Sequence, residues 1–509
     1  MKNPTTMSAA SIKKYIMSID QGTTGSTVIL LDQAGSLVSK ATVDYQQHYP
    51  QAGWVEHNPD DIWKSVETAA LQCLKKISAS PEEILTIGIT NQRETVVAFR
   101  KSTGEILHNA IVWQCRRTSK MCDQLRKKWS LKIKTKTGLV LDPYFSASKM
   151  RWLIENVASV SRALKEDDLA FGNIDTFLMW RLSDKKIFAT DVSNASRTML
   201  MNLKTCQWDN ELLKLFKVPI SALPEIKSSS GLFGNTVTQS FVSENTPITG
   251  VAGDQQAALF GQTCFSEGES KCTFGTGSFI LMNTGTKLLK SKAGCLTTVA
   301  WRLGGGKTQY ALEGGAFICG AAVAWLRDGL GIIEKSSDVE ALAKQVSTAE
   351  GVEFVPALTG LGAPYWNAYA RGEITGLTRG TNKAHIARAT LEAIALQNAD
   401  ILLAMQKDLK KKIKRLRVDG GASINNLLMQ LQCDYLQTVV DRPMQVETTA
   451  IGAAYLAGLG VGHWKSLDQI RSIWKKDCEF KPLQSLTAVN KRRQSWNRAV
   501  KKAMTNFMR

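Results

Sequence analysis

The sequence predicts an α/β protein built from two similar halves that face one nucleotide. Two stretches far apart in the chain carry that expectation. Residues 15–32 (YIMSIDQGTTGSTVILLD) read as strand, polar glycine-threonine turn and strand, and residues 271–283 (KCTFGTGSFILMN) repeat the design. A third observation is that apolar runs at 84–90, 248–252 and 416–419 end in polar residues, two of them leading straight into helices. Open α/β sheets present ligand groups at such strand ends.

Composition narrows the class. A chain of 509 residues, 44% hydrophobic, is long enough for two or more domains with their own cores. Only 21% of residues are charged and no long low-complexity tract occurs, which excludes a disordered chain. No uncharged apolar run approaches the ~18 residues of a membrane span. Residues 1–14 lack the apolar centre of a secretory leader, so a soluble, cytoplasmic protein is expected. The ten cysteines form no CxxC pair and are expected to be reduced thiols. Five histidines without an HExxH motif argue against a protein-built zinc site, so any metal is expected to arrive with a nucleotide.

The net charge of +19 comes from 64 Lys and Arg against 45 Asp and Glu, with concentrations at 407–417 and 491–509. A basic excess can mark nucleic-acid or anionic-membrane contact. No aromatic-interleaved RNA motif or zinc-finger spacing accompanies it. In the tail, Trp496, Val500, Ala503 and Phe507 fall at helical spacing, which predicts an amphipathic helix packed on the body. Neither a nucleic-acid partner nor an integral membrane segment is expected.

In chain order, the first turn offers Gly22 and Gly25, where backbone can approach a ligand closely, and Thr and Ser hydroxyls beside the main-chain N–H groups. Such a turn can hold a phosphate chain, and Asp20 at the end of its first strand could hold Mg²⁺ through water. Residues 37–43 predict a third strand. Asn58-Pro59-Asp60-Asp61 predicts a helix start, with an Asn cap, Pro at the first position and acids facing the helix dipole. The strand at 84–90 delivers Asn91-Gln92-Arg93-Glu94-Thr95, and one at 109–112 delivers Trp113 and Gln114-Cys115-Arg116-Arg117. Asp142-Pro143-Tyr144-Phe145 reads as a turn presenting an aromatic ring. Residues 151–245 alternate helical and loop signals without an evident site. The strand at 248–252 ends in Gly253-Asp254-Gln255-Gln256, with a helix expected at 257–261. An Asp there is well placed to take a proton from a bound hydroxyl, or to cap the helix. Gly304-Gly305-Gly306-Lys307-Thr308 lacks the first glycine and the following helix of a phosphate loop, so the arms 296–301 and 309–312 read as a hairpin. Residues 314–326 read as a small-residue helix and 384–404 as a longer one. The strand at 416–419 leads through Gly420-Gly421 to Asn425 and a helix at 427–435, where a base or ribose could lie on the glycine backbone. Residues 458–462 follow a helix, so their glycines read as its C-terminus.

Taken together, SIDQGTTGST, GITNQRET, IVWQCRRT, DPYFSASK, GVAGDQQAALFGQ, TFGTGSF and RVDGGASINN resemble the FGGY carbohydrate kinases of the actin-like ATPase superfamily, over about residues 15–504. The NQRET, WQCRR and GDQQ trio is similar to the branch acting on glycerol, in preference to the xylulose, gluconate or ribulose branches. The resemblance implies two actin-like (ribonuclease H-like) domains, with mixed sheets flanked by helices around a central cleft, divided here into 1–261 and 262–509. It implies ATP and Mg²⁺ as cofactors, glycerol and ATP as the molecules bound, and a homo-oligomer, dimer or tetramer. By the same likeness Arg93, Glu94, Trp113, Tyr144, Asp254, Gln255 and Phe279 form the polyol site, with Asp254 as general base and Asp20 positioning Mg²⁺. Thr23, Thr24, Gly25 and Thr276 would meet the phosphates, and Gly320, Gly421 and Asn425 the adenosine. Two departures bear on the nucleotide: Thr27 stands where the family often has Arg, and Ala324 where it has Gln. Residues 231–247 lack the loop that binds fructose 1,6-bisphosphate in some bacterial members. No His lies between His108 and His385 to serve as a phosphorylated control site, so neither control is expected. The competing readings are another FGGY sugar kinase, an actin-like ATPase working as a chaperone, and a nucleic-acid binder. The Arg93, Glu94, Trp113 and Tyr144 group argues against the chaperone, which has no use for it.

Overall fold

Two mixed sheets of the same design form the frame, each starting from one of the glycine-threonine hairpins. The computed structural model describes residues 14–505. The reading of residues 1–13 as part of a chain without a leader, and the expected tail contact of Phe507, lie outside the described residues. In the first sheet Tyr15–Gln21 pairs antiparallel with Gly25–Leu31, which pairs with Leu37–Asp44. On its other side Tyr15–Gln21 runs parallel to Ile84–Asn91, then come Pro247–Gly253 in parallel and Ser230–Asn235 antiparallel at the edge. The second sheet repeats this around Ser270–Phe274 and Ser278–Gly285: Gln309–Ala316 and Leu296–Trp301 follow on one side. On the other side lie Arg415–Asp419 and Val439–Pro443 in parallel, then Lys476–Phe480 antiparallel.

The central strands are buried on both faces, as parallel strands require. Pro59–Lys76 covers one face of the first sheet with Ile62, Val66, Ala69 and Cys73. The predicted cap holds: the Asn58 side-chain oxygen accepts the Asp60 N–H at 2.9 Å. The other face is covered by Thr448–Gly460, a late segment of the chain, which packs against the first sheet and against Asp254–Gly261. Its backbone lies so close that a Cβ on Gly452 would meet the Ala257 carbonyl oxygen at 1.8 Å. The two helices therefore cross through glycine, tying the late helix to the segment that carries Asp254.

Several elements differ from their sequence reading. Residues 314–326 are not one helix: Gln309–Ala316 is a strand because Gly314, Gly315 and Ala316 complete the ladder with Ile280, Phe279 and Ser278, and the helix is Gly320–Asp328. The helix expected from residue 257 starts at Asp254. Within 151–245 lie strands that the sequence did not reveal, including Ser230–Asn235 and Leu169–Gly172. Both are short, and Ser230–Asn235 (SGLFGN) has glycines that break any alternation at a sheet edge. Leu169–Gly172 joins Val96–Arg100, Ile106–Ile111 and Glu56–His57 in a separate four-stranded sheet, from whose strand ends Arg93–Thr95 and Trp113 project. The tail forms the helix Leu486–Thr505, with Trp496, Val500 and Ala503 buried as expected. Among the described residues, no helix is long and apolar enough to cross a membrane.

Candidate active site

Asp254 stands at the first turn of its helix, directly after the Pro247–Gly253 strand, with its side chain 31% exposed. Its two carboxylate oxygens are differently engaged. Oδ1 accepts the Gln255 backbone N–H at 2.6 Å and pairs with Arg93 Nε at 2.9 Å. Oδ2 has only a long contact, 3.4 Å, with the Gln255 amide nitrogen. One oxygen is therefore fixed and the other only weakly engaged.

Arg93 is buried and committed. Its NH1 and NH2 groups donate to both oxygens of Glu313, at 2.8 and 3.0 Å, in a bidentate pair. Arg197, fully buried, donates to Glu94 at 2.6 Å, and its NH2 lies 3.1 Å from Glu313 as an ion pair without hydrogen-bond alignment. Two arginines and two glutamates thus neutralise one another beneath Asp254. Burial works to raise the Glu313 pKa, but Arg197 and Arg93 together hold its carboxyl below the usual range. Glu94 is pushed up by burial, with the arginines opposing. Its backbone sits at φ 63°, a left-handed conformation that non-glycine residues adopt mainly under constraint.

The Tyr144 ring stands 5.8 Å from the Arg197 guanidinium of this cluster, and Trp113 and Phe279 extend outward from it. Trp113 meets Tyr144 edge to face at 5.6 Å between centroids and Phe279 at 6.4 Å. Phe279 comes from the second sheet, so the aromatic wall spans both halves. Lys149 donates to the carbonyls of Pro143 and Phe145 at 2.8 and 3.2 Å, and to that of Tyr144, which fixes the turn presenting the ring.

The first phosphate-type turn is held from behind. Tyr45 donates to the Gly22 and Thr23 carbonyls at 2.7 and 2.8 Å, and Gln21 and Gln92 also donate to Gly22 O. The turn's carbonyls are therefore drawn toward the body. Trp113 Nε1 donates to the Thr23 hydroxyl at 3.0 Å, linking this turn to the aromatic wall. His57 Nδ1 approaches Tyr45 and Gln92, and burial lowers its pKa to about 4. An unfolded His protonates near pH 6.5 while the folded one stays neutral, so stability falls as pH drops from about 6.5 to 4. Urea unfolding at both ends of that window is expected to differ by about 3 kcal/mol from this group. A His57→Gln variant is expected to flatten that part of the profile; an unchanged slope would remove His57 as its source.

The other predicted residues fall as follows. Thr24 and Gly25 complete the first turn; Thr27 pairs with Asp20 across the hairpin, and its hydroxyl shares a 2.9 Å hydrogen bond with Thr42. Thr276 lies in the second turn, whose Gly275 and Thr276 carbonyls accept the backbone N–H groups of Gly320 and Ala321. Ala324 is half-buried, just over one turn into the Gly320–Asp328 helix. Gly421 has open space where a side chain would stand. Asn425 caps the Asn426–Leu436 helix, its side-chain oxygen accepting the Leu428 N–H at 2.9 Å. Burial, then repulsion from Asp254 and Glu447, raises the Asp20 pKa to about 8. A carboxylate under that repulsion is the kind that a hydrated divalent cation stabilises, and among the described residues no group of three acidic or soft side chains offers a direct cage. All ten cysteines are free.

The sequence reading missed Glu313, Arg197 and Lys271. Signals existed: Glu313 is the one charged residue between Lys307 and Arg327, and Arg197 the one between Asp191 and Lys204. A lone charge in an apolar stretch is rarely left without a buried partner.

Two mixed sheets of one design, each opened by a glycine-threonine hairpin, with an acid at a helix start, define the actin-like class of fold. The comparisons narrow this further. The model for the FGGY family of carbohydrate kinases, N-terminal domain, matches residues 15–261, and that for the C-terminal domain matches residues 270–461. The chain is 57% identical to a glycerol kinase of Bdellovibrio bacteriovorus over 492 residues, covering 96% of this chain and 99% of that protein. It is 51% identical to a glycerol kinase of Alkaliphilus oremlandii, covering 97% and 98%. The crystal structure of Plasmodium falciparum glycerol kinase with ADP superposes with a TM-score of 0.90 at 37% identity, covering 97% of this chain and 98% of that one. The chain belongs to the FGGY family of carbohydrate kinases.

Proposed function

We propose that this FGGY kinase transfers the terminal phosphoryl group of ATP to a primary hydroxyl of glycerol, giving sn-glycerol 3-phosphate and ADP. The observation that carries the reading is that the half-free Asp254 carboxylate and the wall of Trp113, Tyr144 and Phe279 are joined through one buried cluster, Asp254 by Arg93 and Tyr144 by Arg197. A small triol needs hydroxyl partners on one side and apolar cover for its carbons on the other. Asp254, Gln255 and the Arg93–Glu94 pair supply the first, and the three rings the second. A pocket that satisfies each hydroxyl rejects analogues that lack one.

In this reading Asp254 Oδ2 accepts the proton of the attacking hydroxyl while Arg93 keeps Oδ1 in place. The hydroxyl oxygen bonds to the γ-phosphorus as the bond to the β–γ bridging oxygen breaks, and ADP leaves with that oxygen. Thr23, Thr24, Gly25 and Thr276 hold the phosphates, with Thr27 on the adjoining strand; Gly320, Ala324, Gly421 and Asn425 border the adenosine. Asp20 would hold Mg²⁺ through water, and the ion, when bound, neutralises charge on the phosphates. Such transfer rests mainly on positioning and charge neutralisation. Residues 1–261 then carry the polyol pocket apart from Phe279, the first turn and the base, and 262–509 Phe279, the second turn and the adenosine site. Closure of the two around the cleft would exclude water as a competing acceptor.

A coupled assay of ADP release tests the assignment, with glycerol set against a panel of pentuloses, gluconate and water. Glycerol is expected to give the highest kcat/KM by orders of magnitude. A pentulose turned over better than glycerol would transfer the chain to another branch of the family.

A further inference from the structure

Lys271 is fully buried, and no carboxylate lies within ion-pairing distance of its ammonium among the described residues. Lysines are almost never so placed unless paired. Its Nζ instead donates to the Gln255 side-chain oxygen and, at 2.7 Å, to the Thr273 hydroxyl. Lys271 and Thr273 alternate on one face of the Ser270–Phe274 strand, the strand that leads into the second phosphate-type turn. The contact with Gln255 therefore joins the second sheet to the residue following the proposed base.

The chemistry of this contact has a direction. An ammonium only donates, so the end of the Gln255 amide that faces it has to be the oxygen. The NH₂ end is then turned the other way, where it lies 3.4 Å from Asp254 Oδ2. Asp254 Oδ2 is an acceptor and the Gln255 NH₂ a donor, and one hydroxyl can satisfy both: its oxygen accepts from Gln255 while its hydrogen points at Asp254. With the amide reversed, two oxygens would face that hydroxyl, and one would be left repelling it.

We propose that Lys271 is a positioning residue for the acceptor substrate: its buried ammonium locks the Gln255 amide in the orientation that presents a donor beside Asp254, so that the attacking hydroxyl aims its proton at the base. This rests on the reading of Asp254 as the base for a hydroxyl substrate, and it goes beyond that reading by assigning Lys271 a task without substrate contact. Burial lowers the Lys271 pKa, with Asp419 and Asp254 opposing that shift.

The test is a set of steady-state measurements on the full chain. Lys271→Met is expected to lower kcat/KM for glycerol by about 10- to 100-fold, the size of one oriented hydrogen bond, with the dissociation constant for ADP unchanged. In a Gln255→Ala background the same substitution is expected to have little further effect, because Lys271 acts through that amide. Should Lys271→Met fail to fold, Lys271→Gln reads the same quantity, since its amide can offer either a donor or an acceptor and no longer dictates the orientation. Full and independent losses in the double variant would overturn the proposal, as would equal weakening of ADP binding, which would mark a purely structural role. If the wild-type chain prefers a pentulose, the substrate assignment falls while the Lys271 series is read on that substrate with the same expected outcome.

Discussion

Replacing Asp254 by Asn is expected to lower kcat toward the upper end of the ~10²–10⁴-fold range of a lost general base. The reason lies in how the two oxygens are used. Oδ1 is engaged by the Gln255 N–H and Arg93 Nε, so an Asn at this position keeps its oxygen there. Its NH₂ then occupies the place of Oδ2 and offers the hydroxyl a donor where an acceptor is needed. ADP affinity, measured by calorimetry, is expected to stay close to wild type because the phosphate-type turns are unchanged. Near-normal turnover in the variant would remove Asp254 from the role of base.

The second large effect concerns stability. Glu313→Ala is expected to destabilise the fold by about 3–5 kcal/mol, the penalty for removing one partner of a buried ion pair. Glu313 holds both ends of the Arg93 guanidinium and pairs with Arg197, and all three side chains are almost fully buried. Without it, two buried arginines are left with Glu94 and the partly exposed Asp254 as their only carboxylates among the described residues. Glu313→Gln, which keeps the shape and removes the charge, is expected to fall between wild type and Ala. Urea unfolding checks this, and a loss below about 1 kcal/mol for the Ala variant would mean that water or Glu94 compensates the arginines.

Much of the site was legible because local chemistry and local geometry coincide there. The glycine-threonine turns announce themselves by composition, and each was read with its two flanking strands. Gly253-Asp254 was legible as a strand end running into a helix. The Trp496, Val500 and Ala503 stripe revealed a buried helix face through its spacing alone. By contrast, the helix expected at 314–326 turned out to be split, since whether Gly314–Ala316 extends a ladder depends on Ser278–Ile280, some 35 positions away by their pairing. The edge strand Ser230–Asn235 was invisible for a similar reason: it exists because Pro247–Gly253 offers it a partner.

The sequence by itself determined the two-halved α/β plan, the two glycine-threonine turns and the identity of most residues around Asp254. Those features depend on residues adjacent in the chain, whose spacing, turn chemistry and alternation act before any long-range contact forms. Only the tertiary structure decided which charges meet. Arg93 joins Glu313 across 220 positions, Arg197 joins Glu94 across 103, and Lys271 reaches Gln255 across 16 with a turn of direction between them. A buried charge requires a partner, but which partner it finds is set by the packing of sheets, and no local pattern encodes that choice.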